Sequence, residues 1–305
     1  MKIQPVQSFT SSSRGTRASE RAGVLTKICH ANSQAYISST MIKIAHESPI
    51  SLFPKVQSWT DYDYALVHLF EENEEYLNHF KKALEGGREV ILDNSIFELG
   101  SAFDMNKFAD WVSALNPTWY IIPDVLEDSL ETKLNALQWN AHYRDRVPGK
   151  SIGVVQGRTY EDIVECYQFL DKEIGVDMIA ISFDYSYYEK EFPHGNKLVS
   201  WMLGRVQLLH RMYRDGYINE KKPHHLLGCG LPQEGMFYRD FDFIYSMDTS
   251  NPVVHGLKGI KYEENQGLWS KESQKLFEMI MSDYTYDQVA DIAYNVEQFR
   301  KYWNG

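Results

Sequence analysis

The chain has 305 residues, of which 43% are hydrophobic, so it can bury the core of one large domain with extensions. Its formal net charge of −11 argues against broad, non-specific affinity for polyanions, because nucleic-acid-binding proteins usually carry a basic surface. Neither a run of about 18 apolar residues nor the apolar segment of a secretion signal is present, so we expect no membrane span and no export. The 3 cysteines lie far apart without a CxxC pair, which excludes a cysteine-built zinc site and predicts a reduced, cytoplasmic protein.

The beginning of the chain differs in composition from the rest. The stretch "SFTSSSRGTRASERAG" is rich in Ser, Arg and Gly and has little to bury, so residues 1–30 are predicted to form a flexible arm. Beyond the arm, short apolar runs alternate with longer amphipathic segments. The apolar runs predict strands within 36–46 and at 88–93, 119–124, 151–156, 177–182, 224–229 and 241–248, with an eighth within 253–262.

The segments between these runs have the apolar spacing of helices, for example over 105–115, 129–144 and 159–174. Thr159 with Asp162 resembles an N-terminal helix cap. Strands buried on both faces that alternate with helices indicate a parallel sheet, and about eight such units predict a (β/α)8 barrel of the TIM type. We expect the barrel over residues 31–265, with the helices of residues 266–305 packed on its outside.

Polar side chains end several of the predicted strands. They are Asp93, Asp124, Gln156, Ser182 and Asp248. In a parallel barrel, all of these carboxyl-terminal strand ends point to one face, which is where such barrels carry their active sites. A turn residue is the ordinary explanation for any single aspartate at a strand end. Three aspartates and a glutamine that converge on one face favour an active site.

Five segments surround these strand ends: "DNSIFELG" (93–100), "PDVLED" (123–128), "GVVQGRTYED" (153–162), "HLLGCGLPQE" (225–234) and "MDTSNPVVHG" (247–256). In order and spacing they resemble the DSGGFQ-type motif, the substrate-reading aspartate, and the GxVQGG, LMGVGxPED and FDCVxPTRxARxG segments of one enzyme family. That family is the tRNA-guanine transglycosylases, also called queuine/archaeosine tRNA-ribosyltransferases. The resemblance covers roughly residues 88–260.

Two departures from this family concern the nucleic acid. The family's tRNA enzymes carry a Cys-x-Cys-x-x-Cys plus His zinc site after the nucleophile segment, and this sequence has no such pattern. The arginine-rich part of the nucleophile segment is reduced here to "NPVVHG". Both features belong to a tRNA-binding region, so the chain more closely resembles the compact, zinc-less phage and bacterial enzymes that insert 7-deazaguanine bases into DNA. A phage-encoded enzyme of this kind would work in the host cytoplasm.

The resemblance implies a catalytic role for two aspartates. Asp248 would be the nucleophile that forms a covalent glycosyl-enzyme intermediate, and Asp93 would be the general acid/base. Glu98 replaces the glutamine of the family motif and is expected to support these groups. No cofactor and no metal are implied, and the histidines show no metal-ligand spacing.

The same resemblance implies how a base would be bound. Asp124 and Gln156 would form hydrogen bonds with the purine edge, and Phe97 and Leu227 would stack on a base flipped out of the duplex. Packing in the protein core is the alternative explanation for Phe97 and Leu227. Further substrate contacts are expected at Gly157, Ser182, Phe183 and Gly228.

A few cations follow predicted strands and would therefore lie on the catalytic face. Contacts with nucleic acid are expected at Arg158, Lys190, Lys258 and Lys261, aided by Arg14, Arg17 and Arg21 of the arm. The expected partners are DNA, with tRNA as the alternative polymer, and a free 7-deazaguanine base.

Three other functions are compatible with the sequence. A (β/α)8 glycoside hydrolase could use Asp93 and Asp248 as its acid and nucleophile, with water as the acceptor. A non-catalytic subunit could use the pocket to bind a nucleobase, although both catalytic aspartates are present. The third is a tRNA transglycosylase without zinc.

Overall fold

Strands and helices alternate along the chain, in agreement with the alternating apolar runs and amphipathic segments of the sequence. A computed structural model describes residues 41–263, 269–270 and 276–305. Within these residues, parallel strands form an 8-stranded sheet in the order β1-β8-β7-β6-β5-β4-β3-β2. The strands are β1 (Lys43–His46), β2 (Asp63–Leu66), β3 (Val90–Asp93), β4 (Trp119–Ile121), β5 (Lys150–Val155), β6 (Met178–Ser182), β7 (His224–Leu227) and β8 (Ile244–Thr249).

The sheet curls into a nearly closed (β/α)8 barrel, which confirms the predicted fold class. β1 pairs with β8, and residues just before β2 bridge the remaining gap between β1 and β2. The backbone N–H of Asp61 donates to the Ile44 carbonyl at 2.9 Å, and the N–H of His46 donates to the Thr60 hydroxyl at 2.9 Å. The carboxyl ends of the strands therefore meet at one face of the barrel.

Helices cover the outside of the barrel. The described α-helices are Phe53–Val56, His68–Glu72, Glu74–Glu85, Ile96–Leu99, Met105–Leu115, Ser129–His142, Tyr160–Gln168, Ser186–Glu191, Lys197–Arg214, Asn251–Leu257 and Tyr286–Asn304. The predicted helices are confirmed, although the one predicted over 159–174 continues from Phe169 to Ile174 as a π-helix. The hydroxyl of Thr159 accepts a hydrogen bond from the Asp162 N–H at 3.1 Å, which confirms the predicted cap.

Polar side chains fill the end of the barrel where the strands begin. The ammonium group of Lys43 donates to Glu89 at 2.6 Å and to the Tyr245 hydroxyl at 2.5 Å. The indole N–H of Trp119 donates to the other Glu89 oxygen at 2.5 Å. Above this cluster the strands are largely buried, as in β6, where every residue is buried. A ligand cavity is therefore expected at the opposite end, where the strands finish.

One predicted strand is wrong. The apolar pattern within 253–262 predicts the eighth strand, but Asn251–Leu257 is a helix. Gly256 allows this helix to approach the C-terminal helix closely, since a Cβ at Gly256 would lie 2.4 Å from Ile292. The missing strand is β2, in a segment for which the sequence predicts no element. The other predicted strands are confirmed, with ends that differ by a few residues.

The helix Tyr286–Asn304 is part of the predicted C-terminal region. It begins with a reciprocal cap: the Gln288 N–H donates to the Thr285 hydroxyl at 3.3 Å, and the Thr285 N–H donates to the Gln288 amide oxygen at 2.7 Å. At its other end, the Asn304 amide forms two hydrogen bonds of 3.0 Å with the backbone of Ile42. The last helix is thereby tied to the residue that precedes β1.

The structure does not test every part of the predicted domain organisation. The arm predicted for residues 1–30, with Arg14, Arg17 and Arg21, lies outside the described residues. The predicted boundaries of the barrel and of the C-terminal region stay predictions. Among the described helices, none combines the length and the apolar character needed to cross a membrane.

Candidate active site

A cavity of about 440 Å³ lies at the carboxyl ends of the strands, a volume in the range typical of small-molecule sites. Its lining includes most of the residues that the sequence predicts for the site. These are Asp93, Phe97, Asp124, Gln156, Ser182, Phe183, Leu227, Gly228 and Asp248. The barrel thus brings together side chains that are more than 150 residues apart in the chain, because successive strands end at the same face.

Asp248 lies near the end of β8 and is only 6% exposed. Its Oδ1 atom lies 3.0 Å from Nε2 of His225 and 3.2 Å from the backbone nitrogen of Gly228, and both groups donate hydrogen bonds to it. The other ring nitrogen of His225, Nδ1, forms a hydrogen bond of 2.8 Å with the Ser246 hydroxyl. The two donors satisfy Oδ1 of this buried carboxyl group and hold it in one orientation, which suits a nucleophile.

Asp93 ends β3 in a different environment. The hydroxyl of Tyr64 donates to its Oδ2 at 2.5 Å, and the backbone N–H of Ser95 donates to its Oδ1 at 2.5 Å. Ser95 has a φ angle of 62°, in the left-handed region that residues other than glycine rarely adopt. Burial, and then the nearby charge of Glu98, raise the pKa of Asp93 to about 8. Asp93 is therefore protonated at neutral pH and can donate a proton.

Asp124 lies beyond the end of β4 and is 1% exposed. Its two oxygens accept hydrogen bonds from the side-chain amides of Asn94, at 2.8 Å, and Gln156, at 2.7 Å. Gln156 is fixed in turn, because its amide oxygen accepts from the Glu127 N–H at 2.7 Å. Burial raises the pKa of Asp124 to about 6. The carboxylate is thus held rigidly at the cavity and retains lone pairs for a ligand.

Aromatic side chains form one wall of the cavity. The Phe97 side chain is 41% exposed, and its ring centroid lies 6.0 Å from that of Phe183. Phe183 packs edge-on against Trp201, with centroids 5.3 Å apart. Gly228 has a φ of 62°, and a Cβ there would lie 2.5 Å from the Phe183 ring, so glycine is required at this position. An aromatic wall of this kind suits a flat ligand.

Two of the predicted substrate contacts, Ser182 and Gly157, are engaged in contacts within the protein. Ser182 lines the cavity, but its backbone N–H donates to the Tyr185 hydroxyl at 3.2 Å. Gly157 is not one of the described residues that line the cavity. A Cβ at Gly157 would lie 2.8 Å from the backbone nitrogen of Ile163, so this glycine permits close packing of the following helix.

None of the four predicted cations belongs to the described cavity lining. Arg158 lies 3.8 Å from a carboxylate oxygen of Glu127, and Lys261 lies 3.7 Å from Asp291 of the C-terminal helix. Lys190 and Lys258 are exposed. Among the described residues, the cation that lines the cavity is Lys197, which was not predicted from the sequence. Its ammonium group lies 3.2 Å from Glu189 and 4.5 Å above the ring of Trp201.

A buried ion pair supports the loop that follows β7. Arg205 is fully buried and forms hydrogen bonds of 2.6 and 3.0 Å with the carboxylate of Glu234. It also donates to the carbonyls of Leu227 and Gly228, at 2.9 Å each. The guanidinium group therefore fixes the backbone that carries the Gly228 N–H toward Asp248.

Arg205→Met is expected to destabilise the fold by about 3–5 kcal/mol, because it leaves the Glu234 carboxylate buried without its cation. Denaturant unfolding followed by circular dichroism measures this change. Arg214→Met removes an exposed arginine from the same helix and should change the free energy of unfolding by less than about 0.5 kcal/mol. Equal stability of the two variants would show that the buried pair contributes little.

Several residues of the site are absent from the sequence-based prediction. Tyr64 belongs to β2, the strand that the sequence does not reveal. His225 pairs in register with Ser246 across β7 and β8, two residues before Leu227. Since side chains alternate along a strand, that spacing from a predicted cavity residue is the signal that could have identified His225. Asn94 is part of the quoted motif, but its bond to Asp124 depends on the fold.

Comparison with known protein families and with curated proteins finds no match for this chain. The residues that the structure describes include no group of three or more His, Cys, Asp or Glu side chains arranged to bind a metal ion. The chemistry of the cavity itself is therefore the basis for a functional assignment: a protonated carboxyl group, a carboxylate with two donors, a rigid polar edge and an aromatic wall.

Proposed function

We propose that this protein exchanges guanine in DNA for a 7-deazaguanine base through a covalent glycosyl-aspartate intermediate. The observation that carries the proposal is the contrast between two aspartates in one cavity. Asp93 has a pKa raised to about 8 by burial and by Glu98 and can act as an acid. Asp248 is bound by two hydrogen-bond donors and can act as a nucleophile. Pairs of carboxyl groups with different protonation states are typical of glycosidic bond chemistry.

The proposed reaction has two halves. In the first, a carboxylate oxygen of Asp248 attacks C1′ of the nucleotide, the bond from C1′ to guanine breaks, and the departing guanine takes up the proton of Asp93. In the second, the incoming base gives a proton to Asp93 and attacks C1′, and the bond between C1′ and Asp248 breaks. Asp93 and Asp248 return to their starting states, and the two displacements retain the configuration at C1′.

The polar edge of the cavity fits a guanine-like base. The carboxylate oxygens of Asp124 can each accept one more hydrogen bond, from a ring N–H and from an exocyclic amino group. Gln156 uses one amide hydrogen on Asp124 and retains the second for the carbonyl oxygen of the base. Phe97 and Leu227 line the cavity and would contact the two faces of the ring.

Asp124→Ala is expected to weaken binding of the free 7-deazaguanine base by roughly tenfold or more, since a buried hydrogen-bonding partner is lost. Affinity for the wild type should also fall as the pH drops through about 6, because burial raises the pKa of Asp124 to about 6 and the protonated group accepts fewer hydrogen bonds. Calorimetric titration measures both effects, with the exposed Asp110→Ala as the control. Unchanged affinity in Asp124→Ala would mean that the base binds elsewhere.

DNA is proposed as the polymer because the sequence has no counterpart of the zinc pattern and arginine-rich segment of the tRNA enzymes it resembles. Incubation with radiolabelled guanine or 7-deazaguanines, with DNA and tRNA offered in parallel, tests this choice. We expect label in DNA. Label only in tRNA would contradict the choice of polymer, and label in neither polymer with any base would contradict base exchange. Release of free sugar by water would identify a glycoside hydrolase instead.

A further inference from the structure

His225 lies next to the nucleophile of the proposed reaction. Its side chain is fully buried, and it is the side-chain donor to Asp248. A carboxylate can only accept hydrogen bonds, so the imidazole carries its proton on Nε2. Both donors, His225 and the Gly228 N–H, bind Oδ1, and no described residue donates to Oδ2. The free oxygen of the carboxylate is therefore Oδ2.

The imidazole ring is held in one orientation. The Ser246 hydroxyl, in register with His225 on the neighbouring strand, lies 2.8 Å from Nδ1. The ring of Tyr64 stacks on it at an interplanar angle of 18° and a centroid distance of 6.0 Å, and the ring of Tyr62 packs edge-on at 6.4 Å. Tyr64 also donates to Asp93, so the same side chain contacts both sides of the proposed machinery.

We propose that His225 is a positioning residue that directs Oδ2 of Asp248 toward the sugar and stabilises the carboxylate when it is displaced in the second half-reaction. This inference rests on the proposed function. In the intermediate, Oδ2 is bonded to C1′ and Oδ1 is the neutral carbonyl oxygen of an ester. When the incoming base attacks C1′, the bond between C1′ and Oδ2 breaks and its electron pair returns to the carboxylate, whose charge is shared with Oδ1.

Hydrogen bonds to a charged acceptor are roughly twice as strong as those to a neutral one. The bond from His225 therefore strengthens as Asp248 leaves C1′, which lowers the barrier to discharge of the intermediate. A side chain that served only to fill space would not distinguish between the two half-reactions. Loss of the donor should consequently slow discharge and cause the covalent adduct to accumulate.

The test uses the full chain. The adduct with DNA is first formed in the absence of an acceptor base, and the released guanine is removed. A 7-deazaguanine is then added, and the rate at which the adduct disappears is measured. His225→Leu is expected to slow adduct discharge about 10- to 100-fold, with affinity for the free base unchanged. His225→Gln keeps an N–H donor and should recover most of the rate. Ser246→Ala keeps His225 and removes only the hydrogen bond at its Nδ1 atom, so it should slow discharge less than His225→Leu. His142→Leu, at an exposed position, is the control.

The outcomes separate this inference from the proposed function. Discharge at the wild-type rate in a folded His225→Leu protein would overturn the role of His225. If His225→Leu does not fold, the other two variants decide the matter. The role of His225 would also be overturned if, in both Ser246→Ala and His225→Gln, the discharge rate and the affinity for the free base fell by the same factor. A wild-type protein that forms no adduct with DNA or tRNA would overturn the proposed function, and this inference with it.

Discussion

Asp248→Asn is expected to reduce base exchange by roughly 10⁴-fold or more and to prevent any denaturant-stable adduct between protein and DNA. An amide oxygen is a poor nucleophile, and no ester can form that would later release the sugar to a second base. The substitution keeps the volume of the side chain, so the cavity should keep its shape. Incorporation of labelled base and denaturing gel electrophoresis of the reaction measure the two effects.

Asp242→Asn is a matched control, because Asp242 is exposed in the turn that precedes the same strand. It should leave exchange within about twofold of the wild type, as expected for a surface change away from the site. An Asp248→Asn protein that exchanges bases at a near-normal rate would show that Asp248 is not the nucleophile, whatever the polymer.

Asp93→Ala is expected to stop turnover while the free base still binds. The wild-type rate of the first half-reaction should fall as the pH rises through about 8, since burial and the charge of Glu98 raise the pKa of Asp93 to about 8 and the acid is lost above that value. Glu98→Gln removes one cause of the raised pKa of Asp93. The fall in rate should then begin at a lower pH.

Single-turnover measurements of guanine release between about pH 6 and pH 10 measure this profile. Glu85→Gln, at an exposed helix position, should leave the profile unchanged. A wild-type rate that rises steadily above pH 8 would mean that the first half-reaction needs a base and not an acid. An Asp93→Ala protein that turns over normally would remove Asp93 from the mechanism.

The barrel could be predicted from the sequence because apolar runs mark most of its strands and amphipathic helices separate them. β2, "DYAL", could not, since it begins with a charged side chain that is buried, whereas the lysines that begin β1 and β5 are at least partly exposed. That charge, on Asp63, is accommodated by Arg88 at 2.6 Å, a partner 25 residues away in sequence. A short polar-ended strand of this kind is specified by tertiary contacts and not by its own pattern.

The erroneous eighth strand has the opposite cause. Val253 and Val254 have high strand propensity, yet they lie in the helix Asn251–Leu257. Pro252 lies in the first turn of this helix, where proline is favoured. Both valines are buried in one cluster with Ile292 and Val296 of the C-terminal helix. Packing between the two helices outweighs the local preference of β-branched residues for strands.

The candidate site also has a part that the sequence predicts and a part that it does not. Asp93 and Asp248 could be predicted because each ends a recognisable apolar strand. Their hydrogen-bond environments could not, since they depend on partners from other strands: Tyr64 for Asp93 and His225 for Asp248. These contacts are set by register between strands and by the curvature of the barrel, which a single sequence does not encode in a readable form.

In the proposed reaction, Asp248 becomes covalently bonded to the sugar. The most direct measurement is mass spectrometry of peptides from wild-type protein denatured during reaction with DNA in the absence of acceptor base, after nuclease digestion of the attached strand. A deoxyribose-containing mass on the peptide that carries Asp248, absent after addition of a 7-deazaguanine, is the predicted result. An adduct on the peptide that carries Asp93, or exchange that proceeds with no adduct on any peptide, would contradict the account.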